Sequence, residues 1–149
     1  MTRPILVIED EQAQRELVRH VLEPRGFEIA EAKNGREGIL QLERREFAAI
    51  LLDLRMAGGS GEFVIQWILA NRIHLRSRIL VITGDLLSPG LEVFLTKVDI
   101  PMLPKPYLLT HLIELVESIA LEHGFPSEHH APGRELSHAT VLPQKAQHA

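Results

Sequence analysis

Short runs of consecutive apolar residues recur along the chain, separated by longer amphipathic segments. The runs lie at residues 4–8, 50–52 and 79–82, and none of them alternates between apolar and polar positions. Strands that are apolar at successive positions are typical of a parallel sheet covered by helices on both faces. These three runs therefore predict the central strands of such a sheet.

The segments between the runs have the spacing of helices and of outer strands. Residues 27–30 alternate like an edge strand, and residues 100–104 contain two prolines, which central strands do not tolerate. Apolar residues recur at helical spacing in four further segments, at 12–22, 36–46, 63–68 and 107–122, and a shorter helix begins near residue 88. This order predicts an α/β fold, a doubly wound five-stranded parallel sheet with helices on both faces.

Polar residues stand where four of the predicted strands end. Glu9 and Asp10 follow the first strand, Asp53 ends the run at 50–52, Thr83 follows the run at 79–82, and Lys105 follows the last strand. In open parallel sheets the ligand crevice lies at the carboxyl ends of the strands. We therefore expect these five side chains to converge on one edge of the sheet.

The residue types at this edge fit phosphoryl chemistry with a divalent cation. Clustered carboxylates repel one another, and Mg²⁺ relieves that repulsion because it prefers oxygen ligands, usually carboxylates together with phosphate oxygens. A carboxylate such as Asp53 can then attack a phosphoryl donor, while Thr83 offers a hydroxyl and Lys105 an ammonium to the phosphoryl oxygens. Singly, Glu9 or Asp10 is as compatible with a helix cap as with a ligand. Their joint occurrence is what favours a site.

The composition argues against several other classes of function. The chain has 149 residues, a formal net charge of -4 and no basic run, which argues against nucleic-acid partners and an anionic membrane surface. It has no cysteine, so disulfides, thiolate catalysis and sulfur-ligated metals are excluded. No apolar run is long enough to span a membrane, and we expect a cytoplasmic protein.

The C-terminal part of the sequence differs from the rest. From residue 124 to 149 the apolar periodicity stops and Pro, Ser, His and Gln predominate, which predicts a flexible tail. We expect one folded domain over residues 1–123 and no effector domain after it.

The motifs together resemble one family, the receiver domains of bacterial two-component signalling proteins. The similarity covers about residues 4–122 and comprises the acidic pair Glu9-Asp10, the segment LLDLRM at 51–56 followed by Gly61, the ITG at 82–84, and Lys105-Pro106. Details around residues 83–89, 94–95 and 103–107 are most similar to receivers attached to hybrid histidine kinases.

The resemblance implies a fold and a metal site. The fold is the CheY-like, flavodoxin-like sheet with strand order 2-1-3-4-5. The metal is Mg²⁺, held by Glu9, Asp10, Asp53 and the backbone carbonyl of Arg55. A cis peptide bond is expected between Lys105 and Pro106.

The resemblance also implies a function. Asp53 is the phosphoacceptor for a histidine kinase or a histidine phosphotransfer protein, and Thr83 and Lys105 contact the phosphoryl group. The protein then acts as a single-domain response regulator in a phosphorelay, signalling to a downstream protein by contact, and a homodimer is left open. It is not an enzyme in the usual sense, since it assists only its own phosphorylation and dephosphorylation. Family members that switch through an aromatic residue have it three positions before the lysine, and here that position is Met102. We therefore do not expect the coupling between Thr83 and an aromatic side chain that those members use.

Two alternatives stay open at the level of the sequence. One is a docking module that keeps the receiver fold and works without phosphorylation. The other is an aspartyl-phosphate hydrolase of the haloacid-dehalogenase type, which needs a second aspartate two positions after its nucleophile. Here Gln12 follows Asp10 and Arg55 follows Asp53 at that spacing, so a hydrolase lacks its general acid.

Overall fold

The computed structural model describes residues 3–56, 61–84 and 89–124, in which strands and helices alternate along the chain. The strands are β1 (Arg3–Ile8), β2 (Phe27–Ala32), β3 (Ala49–Asp53), β4 (Ile79–Thr83) and β5 (Met102–Pro104). The α-helices are α1 (Gln12–Leu22), α2 (Gly35–Arg44), α3 (Gly61–Asn71), α4 (Pro89–Lys97) and α5 (Leu109–Glu122). Short 3-10 helices at Glu23–Arg25 and Ile73–Arg78 precede β2 and β4.

The strands of the described residues form one sheet in the order β2-β1-β3-β4-β5, and every neighbouring pair is parallel. This confirms the predicted five-stranded, doubly wound architecture. It also confirms that the alternating segment and the proline-containing segment, now β2 and β5, are the two edges of the sheet.

Both faces of the sheet are buried, which explains the unbroken apolar runs. In β1, Ile5 and Val7 belong to the core layer beneath α1 and α5. Their neighbours Leu6 and Ile8 belong to the opposite layer, beneath α2, α3 and α4. Because successive side chains of a strand point to opposite faces, a strand between two helical layers needs apolar residues at every position.

Helix α2 begins where the sequence supplies a cap. The Asn34 side chain accepts a hydrogen bond of 2.8 Å from the backbone N–H of Glu37, and the Glu37 carboxylate in turn accepts one from the backbone N–H of Lys33 at 3.0 Å. The first bond satisfies a backbone donor that the first helical turn leaves unpaired, and the second joins Glu37 to the residue before the cap. The start of α2 therefore follows from residues 33–37 alone.

Some local predictions were wrong. The helical spacing over residues 63–68 places Phe63 on the apolar face that is expected to pack on the sheet, but Phe63 is 58% exposed, and Ile65 is buried in α3 instead. Helix α2 ends at Arg44 rather than residue 46, and α5 begins at Leu109 rather than residue 107. The sequence did not predict either 3-10 helix.

Residues 125–149, nearly all of the predicted tail, lie outside the described residues. Within the part of the chain that the structure describes, no helix is long and apolar enough to cross a membrane.

Candidate functional site

Three carboxylates meet at the carboxyl edge of the sheet. Glu9 and Asp10 follow β1, and Asp53 is the last residue of β3, whose Leu52 lies in register with Ile8. One oxygen of each carboxylate lies within 4.8 Å of the others. Glu9 and Asp53 are each only 6% exposed, whereas Asp10 is half-buried. The neighbouring strand ends thus concentrate negative charge at a largely buried place.

The Lys105 ammonium lies between two of these carboxylates. Its Nζ donates to Glu9 Oε1 at 3.3 Å and lies 3.5 Å from Asp53 Oδ2. The backbone of Lys105 is held at the end of β4, because its N–H donates to the carbonyl of Thr83 at 2.7 Å. The peptide bond from Lys105 to Pro106 is cis, as predicted.

Burial and crowding of charge alter the pKa values of this cluster. Burial, followed by a hydrogen bond and charge repulsion from Asp53, raises the pKa of Glu9 to about 7. Burial alone would lower the pKa of Lys105, but the charges of Asp53 and Glu9, together with hydrogen bonds to their carboxylates, outweigh it and raise that pKa. The ammonium therefore stays protonated between the carboxylates, and it only partly offsets their repulsion.

The other predicted site residues lie on the same edge. Thr83 is buried and comes one position after Ile82, which lies in register with Asp53. A Cβ at Gly84 would lie 3.6 Å from Lys105 Cδ, so Gly84 covers the aliphatic part of that lysine. The backbone N–H of Arg55 donates to Asp53 Oδ1 at 2.8 Å. The structure thus brings these residues together with the acidic cluster, while their chemical roles stay predictions.

The acidic cluster has the donor set of a hard divalent cation. It offers three carboxylate oxygens, the preferred ligands of Mg²⁺, that all lie within 4.8 Å of one another. Mg²⁺ is commonly held by one or two carboxylates plus waters and phosphate oxygens, and Asp10 is the most solvent-accessible of the three carboxylates. The residues present therefore fit this metal.

Sequence reasoning missed three residues near the site. Gln14 of α1 and Tyr107, just after the cis peptide, line a narrow cleft together with Asp53 and Lys105. The pKa of Tyr107 is raised, chiefly by burial. Arg15 reaches the backbone of Glu9 from α1. Only Tyr107 carried a signal, because it is close to Lys105 in sequence; Gln14 and Arg15 look like ordinary polar residues of an amphipathic helix.

Comparison with known proteins agrees with this geometry. The family model described as the response regulator receiver domain matches residues 5–117. A response regulator receiver protein from Anaeromyxobacter sp. (strain Fw109-5) is 27% identical over 113 residues, which are 76% of this chain and 47% of that protein. The transcriptional regulatory protein SrrA from Staphylococcus aureus is 36% identical over 84 residues, which are 56% of this chain and 34% of that protein. The chain thus spans less than half the length of both relatives.

Solved structures show the same similarity in three dimensions. A response regulator receiver protein from Pseudomonas putida is 30% identical, with a TM-score of 0.71 over 78% of this chain and 96% of that one. A CheY-like receiver domain protein from Methanospirillum hungatei JF-1 superposes with a TM-score of 0.74 over 82% of this chain and 96% of that one. The latter is 22% identical, so it bears on the fold alone.

Proposed function

The chain belongs to the response regulator receiver domain family of two-component signalling, and from this we propose that it accepts a phosphoryl group on Asp53 in the presence of Mg²⁺. One observation carries the proposal. The buried Asp53 carboxylate lies beside Glu9 and Asp10 and within 3.5 Å of the Lys105 ammonium. In this proposal Asp53 is the nucleophile, the three carboxylates bind the metal and the Lys105 ammonium pairs with the phosphoryl oxygens, and these groups lie together at one edge of the sheet.

In the proposed reaction an Asp53 oxygen bonds to phosphorus while the bond from phosphorus to the donor's imidazole nitrogen breaks. The imidazole leaves with the electron pair of that bond, and the product is an aspartyl phosphate. Glu9, Asp10, Asp53 and the Arg55 carbonyl would hold the Mg²⁺. The bound metal would neutralise negative charge on the transferred group. Proteins catalyse such transfers mainly by positioning and by electrostatic stabilisation.

Lys105 and Thr83 would hold the product. The Lys105 ammonium already lies at the Asp53 carboxylate, so a phosphoryl group there gains a charge-assisted partner. Thr83 would donate its hydroxyl to another phosphoryl oxygen. The phosphoryl group adds nearly two negative charges, and it would draw both side chains inward and change the surface near the last two helices.

The family implies partners, and we propose them by class. The donor is a histidine kinase or a histidine phosphotransfer protein, and the output is a contact with a downstream protein. A relation to the receivers of hybrid kinases remains a prediction. The alternative of a phosphorylation-independent docking module gains no support from the site, where acidic, lysine and threonine residues lie at the same edge.

Intact-mass measurement tests the proposal. The full chain is incubated with a small-molecule phosphodonor such as acetyl phosphate, with Mg²⁺ or with chelator, in parallel with Asp53→Asn. We expect one phosphoryl adduct on the wild type that requires Mg²⁺ and is missing from the variant. No adduct on a folded wild type would refute the proposal in favour of the docking module, and turnover of an external phosphate ester would support the hydrolase.

A further inference from the structure

Arg15, on helix α1, contacts the end of β1 where two of the proposed metal ligands lie. Its guanidinium NH1 donates to the backbone carbonyl of Glu9 at 2.7 Å. That carbonyl belongs to the peptide group that joins Glu9 to Asp10. The side chain of Arg15 is 13% exposed, so this hydrogen bond is largely shielded from water. Arg15 therefore holds in place the peptide group that joins the two residues with these carboxylates, Glu9 and Asp10.

The backbone of Glu9 is held on its other side by the sheet. Its N–H donates to the carbonyl of Ala32 at 3.0 Å, at the end of β2. With Arg15 on the carbonyl that follows, both backbone polar groups of Glu9 have partners. Rotation of the peptide after Glu9 would break a charge-assisted hydrogen bond, and such bonds are stronger than neutral ones.

The charge of Arg15 is balanced before any metal binds. Its Nε donates to Glu31 Oε1 at 2.9 Å, and Glu31 also accepts from Arg19 Nε at 2.9 Å. Glu31 is anchored in turn, because its backbone carbonyl accepts a hydrogen bond from the Gln41 side chain at 2.8 Å. The Arg19 hydrogen bond in particular lowers the pKa of Glu31. An ionised Glu31 lets Arg15 approach the site with its positive charge already compensated.

We propose that Arg15 is a positioning residue for the divalent cation, acting through the peptide between Glu9 and Asp10. The inference rests on the proposed function, since it assumes that these carboxylates bind Mg²⁺. Groups that orient metal ligands without touching the metal typically change its affinity 10–100-fold when removed. Arg15 is one step further removed, because it orients the backbone and not a carboxylate. We therefore expect the lower end of that range.

Arg19 provides a matched control on the same helix. It shares the Glu31 partner, and its other hydrogen bonds go to the Glu23 side chain at 2.6 Å and to the carbonyl of Ile29 at 3.3 Å. These partners belong to β2 and to the 3-10 helix before it. Arg15→Ala and Arg19→Ala therefore both remove an ion pair with Glu31, but only the first removes the bond to Glu9.

The experiment is calorimetric titration of the metal-free wild type, Arg15→Ala, Arg15→Lys and Arg19→Ala with MgCl₂. We expect Arg15→Ala to raise the dissociation constant about tenfold, which corresponds to ~1.4 kcal/mol. Arg19→Ala should change it less than about twofold. Arg15→Lys should recover part of the loss, because an ammonium can donate to the carbonyl but cannot span both acceptors. Thermal melts of the metal-free proteins check that all four are folded.

Phosphorylation kinetics provide a second measurement. In Arg15→Ala the Mg²⁺ concentration that gives half the maximal phosphorylation rate should rise about tenfold, as the affinity does, while the rate at saturating Mg²⁺ stays near that of the wild type. Equal affinities in Arg15→Ala and Arg19→Ala would overturn the inference. So would tighter binding in Arg15→Ala, since it would mean that the guanidinium acts as a repelling charge. A folded wild type that binds no Mg²⁺ would instead refute the proposed function.

Discussion

Gly61 lies where helix α3 begins against the end of β3, and its missing side chain is a steric requirement. A Cβ built at this position would lie 2.7 Å from the carbonyl oxygen of Asp53 and 2.8 Å from the Cα of Leu54. Both are backbone atoms, so neither can move aside by rotating a side chain. Gly61→Ala must therefore separate the start of α3 from the strand that carries Asp53.

The size of the effect follows from this clash. Inserting a methyl group into a packed region typically costs about 1–3 kcal/mol, and alanine's better helix propensity returns only part of it. For a chain of this size the melting temperature changes by roughly 4 °C per kcal/mol, so we expect a fall of about 4–12 °C. Because the displaced carbonyl belongs to Asp53, phosphorylation by acetyl phosphate should also slow.

Alanine substitutions at two other glycines, Gly38 and Gly90, should have smaller effects on stability than Gly61→Ala. At Gly38 a Cβ would lie 2.5 Å from Cδ1 of the buried Ile8, a side-chain atom and not a backbone atom, so the cost of alanine should be smaller than at Gly61. At Gly90, within α4, nothing lies within 4 Å of the added atom. Because Gly90 is the second residue of α4 and not in its middle, alanine there should stabilise the protein by no more than about 0.5 kcal/mol. Urea unfolding of all three variants gives the comparison, and a Gly61→Ala protein as stable as Gly90→Ala would refute the steric reasoning.

Three further changes have expected outcomes. Lys105→Met removes the cation beside Glu9 and Asp53, so thermal melts should show a loss of roughly 1–3 kcal/mol without metal and a larger stabilisation by Mg²⁺ than in the wild type. Glu31 has a lowered pKa, so its ion pairs add stability above its unfolded pKa of 4.5, and this is lost as the pH falls through the folded value. The advantage of the wild type over Glu31→Gln in urea unfolding should therefore shrink in acid. Asp99 has a φ of 61°, so Asp99→Val should cost about 1–2 kcal/mol in the same assay, whereas Asp99→Asn, which tolerates this backbone conformation, should cost less.

The sheet was predictable because its signals are local. Consecutive apolar residues in β1, β3 and β4 reflect burial on two faces, and the prolines at 101 and 104 place β5 at an edge. The positions of Glu9, Asp53 and Lys105 then follow from one rule, that parallel strands end at the same edge. These three residues could therefore be placed at one edge of the sheet without coordinates.

Features that depend on contacts between distant segments could not be predicted from the sequence. The exposure of Phe63 follows from the rotation of α3 on the sheet, which Val64, Ile65 and Ile68 determine by packing, and the periodicity of an apolar helix does not fix that rotation. The hydrogen bond from Arg15 to the Glu9 carbonyl depends on how α1 crosses the end of β1. An arginine on an amphipathic helix normally indicates only a solvated face.

Locating the modified residue tests the central claim most directly. After phosphorylation with acetyl phosphate and Mg²⁺, borohydride reduces an aspartyl phosphate to homoserine, and trypsin releases residues 46–55, in which Asp53 is the one aspartate. We predict homoserine at position 53 in the wild type and no conversion when Mg²⁺ is chelated. Conversion at Asp10 instead, or phosphate recovered on a histidine, would contradict it.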